Sequence, residues 1–304
     1  MLLLLRNGEF DLGAQKGVFS NPLLLTGLFL LWLVTFIGLV ALRWSWTANA
    51  IGLTLPFRAA LTTHLGSVFL STWLPSGIGG DFWKAYRFGR LAPTGAARSA
   101  AYFSVILDRA IGLYAMLVLG AICILADFST WWDSSYLIFA IAELLLCAAV
   151  TIVAALLFRR SDRLTGMGEF GSGCSWFWDP LANLLSKHSG RLSADRVTII
   201  YCFLLSCVIQ SANIAFLECI TNNVTGLNVD FSTLAAVFSI GTIVIILSMV
   251  PGGFGIGHLL FFALLQSFGI PNGADIFNVY FVLTAGFSLI GLTSYFWPGD
   301  IRPS

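Results

Sequence analysis

Apolar residues dominate five stretches of the chain, near 22–42, 99–125, 136–158, 197–219 and 276–297. Each is long enough to cross a hydrocarbon core as a helix, which takes about 20 residues. Polar and charged residues collect between them, in 82–98, 126–135, 159–196 and 220–230. The opening run Met1–Leu5 is apolar but too short to span, and it meets the charged stretch from Arg6 to Lys16. That pattern fits neither a signal peptide nor a helix. The reading left open for it is the remnant of a spanning segment.

Two further apolar stretches end on helix breakers. Residues 59–74 run into Pro75-Ser76-Gly77-Ile78-Gly79-Gly80-Asp81. Residues 231–250 run into Pro251-Gly252-Gly253-Phe254-Gly255-Ile256-Gly257-His258, followed by a short apolar run to Ile270. Both breaks read Pro-x-Gly-(Ile/Phe)-Gly. Proline lacks an amide proton and glycine tolerates unusual backbone angles, so each string interrupts a helix. At membrane depth, broken backbone persists only when buried in protein or lining a watery cavity.

Basic residues set the orientation. The connection 82–98 carries Lys84, Arg87, Arg90 and Arg98, and 159–196 carries Arg159, Arg160, Arg163, Lys187, Arg191 and Arg196. Loops 126–135 and 220–230 contain acids without Lys or Arg. The positive-inside rule places the first two in the cytoplasm and the last two outside. Trp73, Trp131 and Trp132 suit interfacial positions. Loop 159–196, with Trp176, Phe177 and Trp178, reads as either an amphipathic segment on the inner surface or an ordinary connector.

Arg58 and Lys84 bracket the first break, which predicts a hairpin dipping in from the cytoplasm. Asp230 and Asp275 bracket the second, which predicts one dipping in from outside. The order helix, re-entrant hairpin, helix then occurs twice in opposite orientation, over about 22–125 and 197–297, joined by helix 136–158 and loop 159–196. The predicted fold is therefore a single all-α polytopic transmembrane bundle with two Gly/Pro-broken re-entrant hairpins in an inverted repeat, a transporter pattern. Two competing readings are coincidental Gly-rich loops in a chain with 30 glycines, and a 231–250 helix that spans fully.

Composition narrows the class. The chain is 58% hydrophobic and only 10% charged, against about 25% charged in a soluble domain. Its mean hydropathy is +0.87. With 16 Lys+Arg against 15 Asp+Glu, it is not a broadly basic nucleic-acid binder. Five of the six cysteines lie in apolar stretches and only Cys174 in a polar loop, so no disulfides are expected. There is no room for a separate soluble catalytic domain.

Three strings together resemble the flippase-like membrane domain of the lysylphosphatidylglycerol synthetase family. The first runs from Leu74-Pro75-Ser76-Gly77-Ile78-Gly79-Gly80-Asp81 through Lys84-Ala85-Tyr86-Arg87, where the family reads roughly LPGGxGGDxxRxY. The second is Leu107-Asp108-Arg109-Ala110-Ile111-Gly112-Leu113, against (E/D)RxxGL. The third is Val250 to Gly257, against PGGxGxxE. The similarity extends in order and spacing from about residue 22 to 297. It implies a multi-pass inner-membrane protein of a bacterial or archaeal cell that moves lipids or lipid-linked intermediates between leaflets. The aminoacyl-transferase domain is absent, so synthetase activity does not carry over. His258 stands where the family has Glu, and the N-terminus is shorter than usual.

The residues themselves suggest an anion site. Lys84 and Arg87 share a helix face beside glycine-rich backbone, an arrangement that holds phosphate; the alternative is that these basic residues only mark the cytoplasmic boundary. Asp108 and Arg109 lie about ten residues into an apolar helix, where a charge costs about 2.5–3.5 kcal/mol and so needs a partner or a cavity. They point about 100° apart and need not pair with each other; Arg109 could reach Asp81 or a lipid phosphate, or the two could fix helix packing. Glu143 raises the same question. Gln210 and Asn213 read as interhelical hydrogen-bonding glue. His258, titrating near about pH 6.5 when unperturbed, is either a proton-coupled neighbour of the headgroup or a neutral hydrogen-bond donor.

The expected lipid- and phosphate-binding set is therefore Gly77, Gly79, Gly80, Asp81, Lys84, Arg87, Asp108, Arg109, Pro251, Gly252, Gly253, Gly255 and His258. No catalytic motif, metal-ligand spacing or cofactor signature appears. The expected partners are an anionic phospholipid or polyprenyl-phosphate-linked lipid and no nucleic acid, with a homodimer as a further option. A membrane enzyme acting on lipid phosphates and a non-transporting scaffold are the alternatives.

Overall fold

The structure, a computed structural model, describes residues 12–74, 78–91, 95–132, 137–164, 195–248 and 250–296. Among these residues every element is helical. A short α1 (Leu12–Phe19) precedes α2 (Pro22–Ala50), then α3 (Phe57–Trp73) and α4 (Ile78–Leu91) flank the first break. Next come α5 (Gly95–Ala126), α6 (Phe128–Trp132), α7 (Leu137–Leu164) and α8 (Arg196–Thr225). After α9 (Phe231–Ser248), the break at Pro251–Gly253, α10 (Ile256–Ser267) and α11 (Gly273–Ser288) complete the fold, the last helix continuing to Phe296.

Local chemistry sets the ends. Asn21 caps α2 by accepting the Leu24 amide at 3.1 Å, with Pro22 at the first helical position. Within α2 the turn tightness changes: Leu33–Leu39 is π-helical, a widening that leaves carbonyls free for other partners. One is used, since His64 Nε2 on α3 lies 2.7 Å from the Phe36 carbonyl oxygen. Gly226 closes α8 at φ +70°, the left-handed cap that glycine adopts without strain.

Among the described residues six helices are long and apolar enough to cross a membrane: Pro22–Ala50, Arg98–Ala126, Leu137–Ala155, Arg196–Thr225, Phe231–Ser248 and Gly273–Phe296. Five match the expected spans. The sixth, α9, is the stretch assigned from sequence to a hairpin limb. No breaker precedes Pro251, so the helix runs 18 residues, about 27 Å at 1.5 Å per residue and close to a hydrocarbon thickness.

Helix α5 is the hub, packing against α2, α4, α7, α8 and α9. Helix α3 packs along α4 and also touches α11 and the Pro251–Gly253 turn, so each half of the chain reaches the other. The main core gathers Trp32, Met116, Trp131, Phe216, Leu264 and Phe277 from six helices. A smaller core around Trp44, Phe88 and Val105 ties α2 and α4 to α5. Trp131, expected at the interface, is instead 2% exposed and packs edge-on to Phe268. Trp73 and Trp132 are exposed. The five described cysteines are free thiols. Cys174, Trp176, Phe177, Trp178 and the rest of 165–194 lie outside the described residues.

Candidate functional site

The strongest electrostatic feature is a buried cluster on α2, α4 and α5. The guanidinium of Arg43 grips the Asp108 carboxylate two-handed, Nε to Oδ1 at 2.8 Å and Nη2 to Oδ2 at 3.2 Å. Its third nitrogen donates to Ser206 Oγ on α8 at 3.0 Å. Lys84 Nζ lies 3.9 Å from the same carboxylate and 5.2 Å from the centre of the Trp44 ring. All three charged side chains are nearly inaccessible. Gly112, one turn after Asp108, leaves the room: a Cβ there would sit 2.7 Å from Arg43 Nη1. The cluster sets two basic side chains against one carboxylate.

Sequence reasoning missed Arg43, because the first span was ended at residue 42. The helix continues to Ala50, which puts this arginine inside it rather than at its mouth. The available signal was the run Trp44-Ser45-Trp46 and the three residues beyond, which hold no breaker.

The neighbour of Asp108 faces elsewhere. Arg109 Nη1 donates to Asp81 Oδ2 on α4 at 2.5 Å, and this pair is far more open, with side chains 33% and 23% exposed. Two cavities meet at Arg109. A central one of about 440 Å³ is lined by Arg43, Arg109, Gln210, Asn213 and aromatic rings including Trp32 and Tyr280, with no carboxylate in its wall among the described residues. Ser71 and Thr72 from the end of α3, and Val250 and Gly252 from the second break, face the same space. The other, about 850 Å³, is an apolar groove between α4 and α5, lined by Phe82, Tyr86, Tyr102, Ile106 and the Asp81–Arg109 pair. Arg109 and Leu113 line both.

Gln210 donates to the Gly112 carbonyl at 3.1 Å and accepts from Asn213 at 3.0 Å. Gln210 thus joins α8 to α5, whereas the Asn213 bond stays within α8; both side chains form part of the cavity wall. Asn213 Oδ1 is buried without a hydrogen-bond partner.

The remaining sequence candidates distribute differently from their motif order. On α4, Lys84 turns inward, Arg87 is half-buried and Arg90 is exposed, donating to the Tyr86 hydroxyl at 2.9 Å. Lys84 and Arg87 therefore do not present one solvated basic face, because α4 lies against both α3 and α5. Gly80 is buried in the first turn of α4, where any Cβ would overlap the Ser67 backbone of α3; Gly79 packs on Leu74. These glycines permit close helix packing. Gly77 lies outside the described residues.

At the second break Pro251, Gly252 and Gly253 form a single tight turn, with Gly252 at φ +56° and Gly253 at φ +71°. Gly255, at φ +86°, leads into α10, and its amide donates to His258 Nδ1 at 3.3 Å. An amide can only donate, so Nδ1 is the acceptor and the imidazole proton sits on Nε2. From there the bonds run one way. Nε2 faces Asn278 Oδ1 at 3.3 Å, Asn278 donates to Gln15 Oε1 at 2.9 Å, and Gln15 donates to Asp275 Oδ1 at 2.6 Å. Asp275, taken from sequence as a marker of the outer boundary, is wholly buried by this network. His258 belongs to it and not to the cavity wall.

An all-helical, multi-pass membrane protein with an arginine-bearing internal cavity is the class these features define. The chain belongs to the family described as lysylphosphatidylglycerol synthase TM region, which matches residues 15–291 and so takes in both cavities and both polar networks. No match was found among curated proteins.

Proposed function

We propose that this protein moves an anionic lipid, a phospholipid or a polyprenyl-phosphate-linked precursor, between the leaflets of a bacterial or archaeal inner membrane. The observation that carries the reading is Arg109, which lines both the apolar groove and the central cavity. Hydrocarbon chains suit the groove between α4 and α5, and a phosphate suits the cavity, whose described wall holds two arginines and no carboxylate. An arginine fork can take two phosphate oxygens at once. The Arg43–Lys84–Asp108 cluster sets two basic side chains against one carboxylate, an excess that favours an anion nearby. Alternating access follows if the segments around the two breaks exchange which side of the cavity they close, in the inverted-repeat manner.

The test is reconstitution in liposomes carrying a fluorescent anionic phospholipid. The fraction of label reached by a membrane-impermeant quencher should rise with time beyond that of protein-free vesicles. Equal traces with and without protein would overturn the reading, and a chemically altered lipid would reassign the protein to the enzymes.

A further inference from the structure

A third buried acid, after Asp108 and Asp275, stands apart from both ion-pair sites. Glu143 projects from α7 towards α5 and α9 and is 2% exposed. Its Oε1 is 2.5 Å from Ser239 Oγ on α9, and its Oε2 has no hydrogen-bond partner. None of the three ion pairs among the described residues includes it. The titratable groups that face it are the thiols of Cys123 on α5 and Cys147 on its own helix; α9 contributes Ser239, which does not titrate. Gly120 makes the space, since a Cβ there would overlap Glu143 Oε1 and approach Ser239.

Such surroundings suit a neutral acid and not a carboxylate. A buried carboxylate requires a cation or several donors, and one oxygen without a donor carries a large desolvation cost. A protonated carboxyl needs much less. With the proton on Oε1, Glu143 donates to Ser239 Oγ; the 2.5 Å separation admits a hydrogen bond in either protonation state, so the unpartnered Oε2 decides between them. The hydroxyl proton of Ser239 is then released to the Met116 carbonyl oxygen, 3.4 Å away. With the proton absent, Ser239 must spend its only hydrogen on Oε1, and Oε2 is left as buried charge.

We propose that Glu143 is a proton-binding site, occupied in this conformation and emptied when α7 separates from α5 and α9 far enough for water to reach it. The step is simple ionisation, with the carboxyl O–H bond breaking and the proton passing to that water. Met116 and Phe238, which adjoin this site on α5 and α9, also line the central cavity. A movement of the cavity wall would therefore bear directly on the Ser239 bond. The protonation itself does not rest on the lipid reading.

Infrared spectroscopy of the intact protein in phospholipid vesicles tests it without any transport assay. At pH 7 the carbonyl stretch of a neutral carboxyl should be present, lost in Glu143→Gln and shifted in frequency in Ser239→Ala. The serine variant keeps the test decisive should Glu143→Gln fail to fold. Absence of the band in the wild-type protein, or a band that neither substitution changes, would overturn the assignment.

Discussion

Asp108 and Arg109 are neighbours in sequence and members of different ion pairs, Asp108 held by Arg43 at 2.8 Å and Arg109 by Asp81 at 2.5 Å. The helix of α5 turns about 100° per residue, so one side chain points to α2 and the other to α4. Burial separates them further. The Arg43–Asp108 pair is buried, while the Arg109–Asp81 pair is up to a third exposed and its arginine borders both cavities. One sequence string therefore delivers a buried ion-pair partner and a cavity-facing cation side by side.

The buried pair should govern stability. Asp108→Ala strands Arg43 and Lys84 as buried cations, and breaking such a pair costs about 3–5 kcal/mol. Its thermal midpoint in detergent, followed by retention on a sizing column, should fall sharply, and less for Asp108→Asn, which keeps an acceptor oxygen. A midpoint equal to wild type would show that the carboxylate does not hold the cluster together.

Arg109 should behave in the opposite way. Ion pairs this exposed contribute about 0–1 kcal/mol, so Arg109→Ala should leave the thermal midpoint nearly unchanged. A charge-assisted hydrogen bond to phosphate is worth about 1.5–3 kcal/mol, so lipid affinity should drop about tenfold or more. Arg109→Lys should recover only part of that, having lost the fork. Unaltered lipid movement in both variants would make Arg109 a packing residue.

Much of this arrangement could be read from the chain alone, and the failures have a common cause. Length and apolar content located five of the six long helices, because burial in lipid leaves a one-dimensional trace. The charges at 108 and 109 marked themselves by their cost. Partners do not: Arg43 and Asp108 are 65 positions apart, and nothing local in either stretch names the other. Asp275 shows the same limit in reverse, since a carboxylate beside an apolar run looks like a boundary until Gln15, 260 positions away, is seen donating to it. Trp131 is buried because Phe268 folds over it, a contact that an interfacial-tryptophan rule cannot anticipate. For α9 the sequence left a hairpin limb and a full span over 231–250 both open, and the structure makes it one continuous helix up to Ser248.

The inverted-repeat reading makes a topological prediction. With the six native cysteines replaced, Ser76→Cys and Phe254→Cys should react with a membrane-impermeant thiol reagent from opposite sides of the membrane. Phe254 is preferred to its glycine neighbours because it is exposed and needs no left-handed backbone. Labelling of both positions from a single side would exclude the opposed arrangement.

The last prediction concerns His258 and the pH dependence of lipid movement. Gly255 donates its amide to Nδ1, so the neutral Nε2–H form is the one that satisfies both ring nitrogens, with Asn278 Oδ1 as the second partner. Protonating Nδ1 would turn it into a donor facing a donor, losing one hydrogen bond and placing charge in a buried network. Glutamine keeps a donor amide that can serve Asn278 and cannot titrate. His258→Gln should therefore show the wild-type pH profile of lipid movement, with at most a uniform loss of rate from imperfect packing against Phe254 and Phe277. His258→Glu should be impaired across the pH range, because a carboxylate has no proton to donate to Asn278 Oδ1. A His258→Gln protein whose rate no longer varied with pH near about 6.5, the unperturbed imidazole value, would show that the ring does change charge during the cycle.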